Sequence, residues 1–141
     1  MQSDTTLSEC PRVLLVDDNA EMLDAAAAVL SSGFEIVGAV KDGRTALDAA
    51  GNLHPDVIVL DISMPGMGGL EVASRLKAGG STAAVVFLTV HEDEEVVRAA
   101  RDAGGTGYVL KPRLGSELPK ATFEASEGRR FISTRLCPTL W

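Results

Sequence analysis

Five residues of this chain combine a reactive side chain with one kind of position, the end of an apolar run. Asp17 and Asp18 follow Val13-Leu14-Leu15-Val16, and Asp61 follows Val57-Ile58-Val59-Leu60. Thr89 follows Val85-Val86-Phe87-Leu88, and Lys111 follows Tyr108-Val109-Leu110. Three carboxylates brought together repel one another, so their pKa values rise or a hard cation joins them. Mg²⁺ takes oxygen ligands, typically one or two protein carboxylates with waters and a phosphate. Asp17 and Asp18 read as the metal-holding pair; Asp61 shares the metal and remains free to act as a nucleophile. A carboxylate that attacks phosphorus forms an acyl phosphate. The metal and Lys111, a point charge on a flexible stem, would neutralise the phosphoryl oxygens. Thr89 would donate its hydroxyl to a third oxygen.

Each residue also has an ordinary reading. An aspartate after a strand is often a helix N-cap. A lone lysine is a solvated surface group, Thr89 a β-branched strand residue, and Tyr108 an aromatic that packs. His54 and His91 read as surface histidines, and Glu92 to Glu95 as an acidic helix start. Only the convergence of the set separates the two readings.

That convergence depends on the elements. Runs apolar at every position suit strands buried on both faces of a parallel sheet. The segment 34–39 is interrupted by Glu35 and reads as an edge strand. Helical spacing joins Met22, Ala26, Val29 and Leu30, with Gly33 closing the stretch. Further helices are expected over about 43–50, over 69–78 with Leu70, Ala73 and Leu76 inward, after the acidic cluster with Val96, Ala99, Ala100 and Ala103 inward, and over 116–127. Strict β-α alternation implies an α/β fold, a doubly wound five-stranded parallel sheet with right-handed crossovers. With the second strand at an edge, the order 2-1-3-4-5 fits best. Ligands of such sheets bind beyond the carboxyl ends of the strands, which is where all five residues would meet.

The chain has 141 residues, enough for one domain with its own core, and a formal net charge of −7. That acidity argues against a basic face for nucleic acid or anionic lipid. No apolar run approaches the ~20 residues needed to cross a bilayer. Residues 1–10 are polar, unlike a signal peptide, and read as a flexible tail. Cys10 and Cys137 read as free thiols of a cytoplasmic protein, with a disulfide left open.

Four segments, in order, resemble the receiver domains of two-component response regulators: Val16-Asp17-Asp18-Asn19, Leu60-Asp61-Ile62-Ser63-Met64-Pro65-Gly66, Leu88-Thr89, and Tyr108-Val109-Leu110-Lys111-Pro112. The resemblance runs from about Arg12 to Glu127. It implies a flavodoxin-like, CheY-like (βα)5 fold, with Asp61 the phosphoacceptor and Asp17 and Asp18 holding Mg²⁺ (or Mn²⁺). It implies that Lys111 and Thr89 contact the phosphoryl group, that Tyr108 changes rotamer on activation, and that the Lys111–Pro112 bond is cis. The donor would be a phosphohistidine on a sensor histidine kinase. Such a domain catalyses its own phosphotransfer and autodephosphorylation and is otherwise no enzyme.

Residues 128–133, Gly-Arg-Arg-Phe-Ile-Ser, resemble the end of the receiver in NarL- and FixJ-like regulators, where a linker leads to a helix-turn-helix domain. The expected organisation is a tail over 1–10, a receiver over 11–128, and a linker start or tail over 129–141. The resemblance implies control of transcription through a DNA-binding domain absent from this chain. An excised receiver is favoured over a stand-alone phosphate sink or shuttle. This chain itself is not expected to bind DNA or membrane, and phosphorylation-enhanced homodimerisation is expected. Ser63 and His91, each two residues past Asp61 and Thr89, flank the path of attacking water and are expected to modulate phosphoryl lifetime. Gly105 stands where alanine is common in the family, which would loosen the approach to the last strand. A remote alternative, an aspartyl-nucleophile phosphatase, needs Asp-x-Asp after the first strand, and that spacing from Asp17 falls on Asn19.

Overall fold

The structure, a computed structural model, describes residues 10–141. All of the expected tail but Cys10 lies outside them. The strands are β1 (Arg12–Val16), β2 (Glu35–Val40), β3 (Val57–Leu60), β4 (Ala84–Thr89), β5 (Gly107–Leu110) and β6 (Phe131–Ile132). The helices are α1 (Ala20–Leu30), α2 (Gly43–Leu53), α3 (Gly69–Ala78), α4 (Glu94–Asp102) and α5 (Leu114–Ser126), with short 3₁₀ turns at Lys111–Arg113 and Pro138–Leu140. The sheet runs β2-β1-β3-β4-β5-β6, and every pairing is parallel.

The alternation of side chains along each strand divides the interior into two cores. Leu14, Val16, Ile58, Leu60, Val85, Phe87, Tyr108 and Leu110 face α2, α3 and α4. Val13, Leu15, Val57, Val59, Val86, Leu88 and Val109 face α1 and α5. Residues on both faces of the central strands are therefore desolvated, which is why those runs are apolar at every position. The second strand lies at an edge as expected, with Glu35 exposed.

Several expectations differ in detail. A sixth strand extends the expected order: Phe131 and Ile132, read as linker or tail, pair with Gly107 and Tyr108. The expected helical faces hold: Ala26, Leu30, Ala73, Ala100 and Ala103 are buried, and Met22, Val29, Leu70, Leu76 and Val96 pack half-buried against the two cores. Leu23, Val72 and Val97, beside them on the same helices, are buried as well. Among the described residues no peptide bond is cis, which overturns the expectation for Lys111–Pro112. Pro112 instead occupies a 3₁₀ turn, where its fixed φ fits a trans bond. Cys10 and Cys137 are both free thiols. No described helix is long and apolar enough to cross a membrane.

Candidate functional site

The register of the strand ends assembles the site. Val16 pairs with Leu60, so β1 and β3 end level; Leu60 pairs with Phe87 and Thr89 with Leu110, so β4 and β5 end level two residues further on. The residues at the carboxyl ends of these four strands therefore share one rim. Asp61 is held there by its backbone N–H, which donates to Val16 O at 3.0 Å; Asp17 N–H donates to Val40 O at 3.1 Å. The chain after Asp61 turns tightly: Gly69 N–H, at the start of α3, donates to Ile62 O at 2.8 Å. A Cβ at Gly69 would stand 2.0 Å from Asp61 O, so only glycine admits this close return.

Asp17 and Asp61 are buried and Asp18 is exposed. Each offers a carboxylate oxygen, and these oxygens lie within 4.8 Å of one another. Asp17 Oδ1 accepts a hydrogen bond from Asn19 N–H at 2.8 Å. Asp17 Oδ2 is buried without a hydrogen-bond partner. Lys111 Nζ lies 3.1 Å from it, close enough for an ion pair but without the alignment of a hydrogen bond. The same Nζ is 3.5 Å from Asp61 Oδ1. A buried, orphaned anionic oxygen beside two more carboxylates is the donor set of a hard divalent cation. The pocket can bind such an ion through Asp17, Asp18 and Asp61.

Burial and the negative charge of Asp17 push the Asp61 carboxyl above its ordinary range, and Lys111 only partly offsets them. Asn19 caps α1 through its side chain, accepting from Glu21 N–H and Met22 N–H.

Four residues form a chain of contacts on this rim. Ser63 Oγ and His91 Nε2 lie 2.6 Å apart, joining the two positions picked out as modulators. His91 N–H donates to Thr89 Oγ1 at 3.3 Å, and Tyr108 OH donates to His91 O at 2.8 Å. Tyr108 is fully buried, and burial pushes its phenol well above the ordinary value. His91 thus links the Asp61 loop to β5, a role the sequence did not signal because the link runs partly through its backbone.

Two further residues were missed. Glu117 on α5 is buried and binds Ser133 and Thr134. Trp141 packs edge-on against Tyr108 with ring centroids 5.6 Å apart. A Cβ at Gly105 would meet the rings of Phe87 at 2.7 Å and Trp141 at 2.9 Å. The space at Gly105 is thus filled by aromatic rings, and the approach to β5 is not loosened. A groove of about 860 Å³ lies at the amino ends of β3 and β4, lined by His54, Asp56, Arg75 and Thr106 among others, and none of the rim residues lines it.

Comparison with known proteins agrees with this geometry. The family model for the response regulator receiver domain matches residues 13–123. The chain is 34% identical over 130 residues to the nitrate/nitrite response regulator protein NarL of Escherichia coli, covering 91% of this chain and 60% of that protein. It is 37% identical over 108 residues to the transcriptional regulatory protein PdtaR of Mycobacterium tuberculosis, covering 76% of this chain and 52% of that one. This chain thus spans roughly half to three-fifths of the length of these curated relatives. Among solved structures, a LuxR-family two-component response regulator from Aurantimonas sp. SI85-9A1 superposes with a TM-score of 0.86 at 27% identity, covering 91% of this chain and 93% of that one. The response regulator domain of Thermotoga maritima CheB superposes with a TM-score of 0.79 at 26% identity, covering 84% and 98%. With its sequence match, its parallel sheet and its acidic rim in agreement, the chain belongs to the response regulator receiver domain family.

Proposed function

We propose that this receiver takes a phosphoryl group onto Asp61 from a phosphohistidine of a sensor histidine kinase and relays its presence through Thr89, Lys111 and Tyr108. The observation that carries this reading is the placement of Lys111 Nζ between Asp17 and Asp61, 3.1 and 3.5 Å from their oxygens, on a rim with three carboxylates.

Asp17, Asp18 and Asp61 would hold Mg²⁺ or Mn²⁺. Such an ion bridges the charges of two anions that otherwise repel. An Asp61 oxygen attacks phosphorus; the bond from phosphorus to the histidine nitrogen breaks, and that nitrogen keeps the electron pair. Lys111 turns from Asp61 toward a phosphoryl oxygen, and Thr89 donates its hydroxyl to another. Attack by water on phosphorus returns the Asp61 carboxylate and phosphate. The Ser63–His91 pair, in contact on the same rim, would modulate that attack.

The output would be transcription, through a DNA-binding domain absent from this chain, with phosphorylation-enhanced pairing of two copies. The phosphatase alternative loses ground because Asn19, at the position its Asp-x-Asp needs, is committed to capping α1.

Incubation with a small acyl-phosphate donor tests the reading. One phosphoryl group should be added in Mg²⁺ and none in chelator, and hydroxylamine should remove it, as it does an acyl phosphate. A label resistant to hydroxylamine would overturn the assignment to a carboxylate.

A further inference from the structure

The segment after β6 lies along β5, α4 and α5 rather than leading away from them. Glu117 anchors its start. Ser133 Oγ–H donates to Glu117 Oε1, and Thr134 donates to Oε2 through its N–H at 3.2 Å and its hydroxyl at 2.9 Å. Ser133 is fully buried; its N–H donates to Tyr108 O at 2.8 Å, and its Oγ accepts from Leu110 N–H at 3.0 Å. Leu136 and Leu140 are buried in the same core as Phe87 and Tyr108. On the α4 side, Arg101 donates to Leu140 O at 3.4 Å, and Arg135 pairs with Glu92 at 3.4 Å.

Trp141 closes this strap. Its indole N–H donates to Thr106 O at 2.8 Å, and its ring fills the space left by Gly105. The Arg130 guanidinium lies 5.2 Å from the centre of the indole. The indole packs edge-on against the fully buried Tyr108 ring, while the Tyr108 hydroxyl donates to His91 O. An outward Tyr108 would need the volume that Trp141 occupies.

We propose that residues 133–141 are a latch: the docked Trp141 ring and an outward Tyr108 side chain exclude each other, so strap docking and the inward Tyr108 are one state. The link to the rim follows from the sheet. Phe87 and Thr89 alternate on β4 with Tyr108 and Leu110 beside them on β5, so Thr89 and Tyr108 share one face. A Thr89 drawn toward a phosphoryl group at Asp61 leaves more room for the inward ring. A phosphoryl group therefore favours the latched state, and the latch, by reciprocity, favours the phosphoryl group. This second half rests on Asp61 being the phosphoacceptor.

The chain has one tyrosine and one tryptophan, so both partners can be followed directly. Nitration of Tyr108 by tetranitromethane should rise on the order of tenfold in W141A, because the ring then opens locally to solvent. W141F, which keeps an aromatic wedge, should stay close to the parent. G105A provides a second route that leaves the indole present, since its methyl crowds both the Phe87 ring and the indole; nitration should rise there too, with a red shift of tryptophan emission. Beryllofluoride with Mg²⁺, followed by ¹⁹F NMR, should bind W141A at least about fivefold more weakly than the parent. Nitration unchanged in both W141A and G105A overturns the latch. Raised nitration with unchanged or tighter beryllofluoride binding overturns its link to the rim. A parent protein that takes no beryllofluoride removes the phosphoacceptor reading, and the nitration result still decides the latch.

Discussion

Lys111 Nζ stands nearer to Asp17 than to Asp61, at 3.1 Å against 3.5 Å, so the Lys111 cation leans toward the carboxylate at the end of β1. With 18% of its side chain exposed, Lys111 is well desolvated. It offsets charge that burial makes costly, in the same place where a divalent cation would do so.

Lys111→Ala should therefore have three effects. The metal-free protein loses about 2 kcal/mol, less than a fully buried pair costs, because the rim is partly wet. Mg²⁺ binds more tightly, because the competing cation is gone. Phosphoryl transfer slows, because one phosphoryl oxygen loses its partner. Urea denaturation, Mg²⁺ titration and labelling rate measure these separately, and weaker Mg²⁺ binding would contradict the competition.

Two glycine-to-alanine changes should move in opposite directions. Gly69→Ala places a methyl 2.0 Å from Asp61 O and should cost roughly 3 kcal/mol or more, with loss of labelling. Gly51→Ala, inside α2 with nothing near its Cβ position, should stabilise by about 0.5–1 kcal/mol and leave labelling intact. Thermal melts of both decide it; a harmless Gly69→Ala would mean that the turn after Asp61 has slack.

The Glu117 anchor gives the strap a pH dependence. Burial raises the Glu117 carboxyl, but the hydrogen bonds from Ser133 and Thr134 outweigh it, and the net value lies below the ordinary 4.5. A depressed folded value means the unfolded chain binds the proton more readily. The stabilisation is present above pH 4.5 and is lost as the pH falls through the depressed value. Trp141 emission should shift toward that of exposed indole over this interval. Glu117→Gln should remove the acid step and cost about 1–2 kcal/mol at pH 7. An acid step unchanged in Glu117→Gln would assign the effect to other carboxylates.

The sheet order, the helices and the rim were legible because apolar runs ending in Asp17, Asp61, Thr89 and Lys111 carry both strand and position. Segment 131–141 was not. Two paired residues make too short a strand to show a period, and the carboxylate that anchors Ser133 and Thr134 sits on another element. Trp141 is legible only once Gly105 is seen to leave room for its ring. The Ser63–His91 contact spans 28 residues, and only the sheet brings those loops together.

Intact-mass spectrometry of the parent and Asp61→Asn, each incubated with an acyl-phosphate donor and Mg²⁺, tests the central claim most directly. The account predicts one added phosphoryl group on the parent and none on Asp61→Asn, which should stay folded because a neutral amide replaces a carboxyl whose charge burial disfavours. A phosphoryl group on Asp61→Asn, or equal labelling of the parent in chelator, would contradict it.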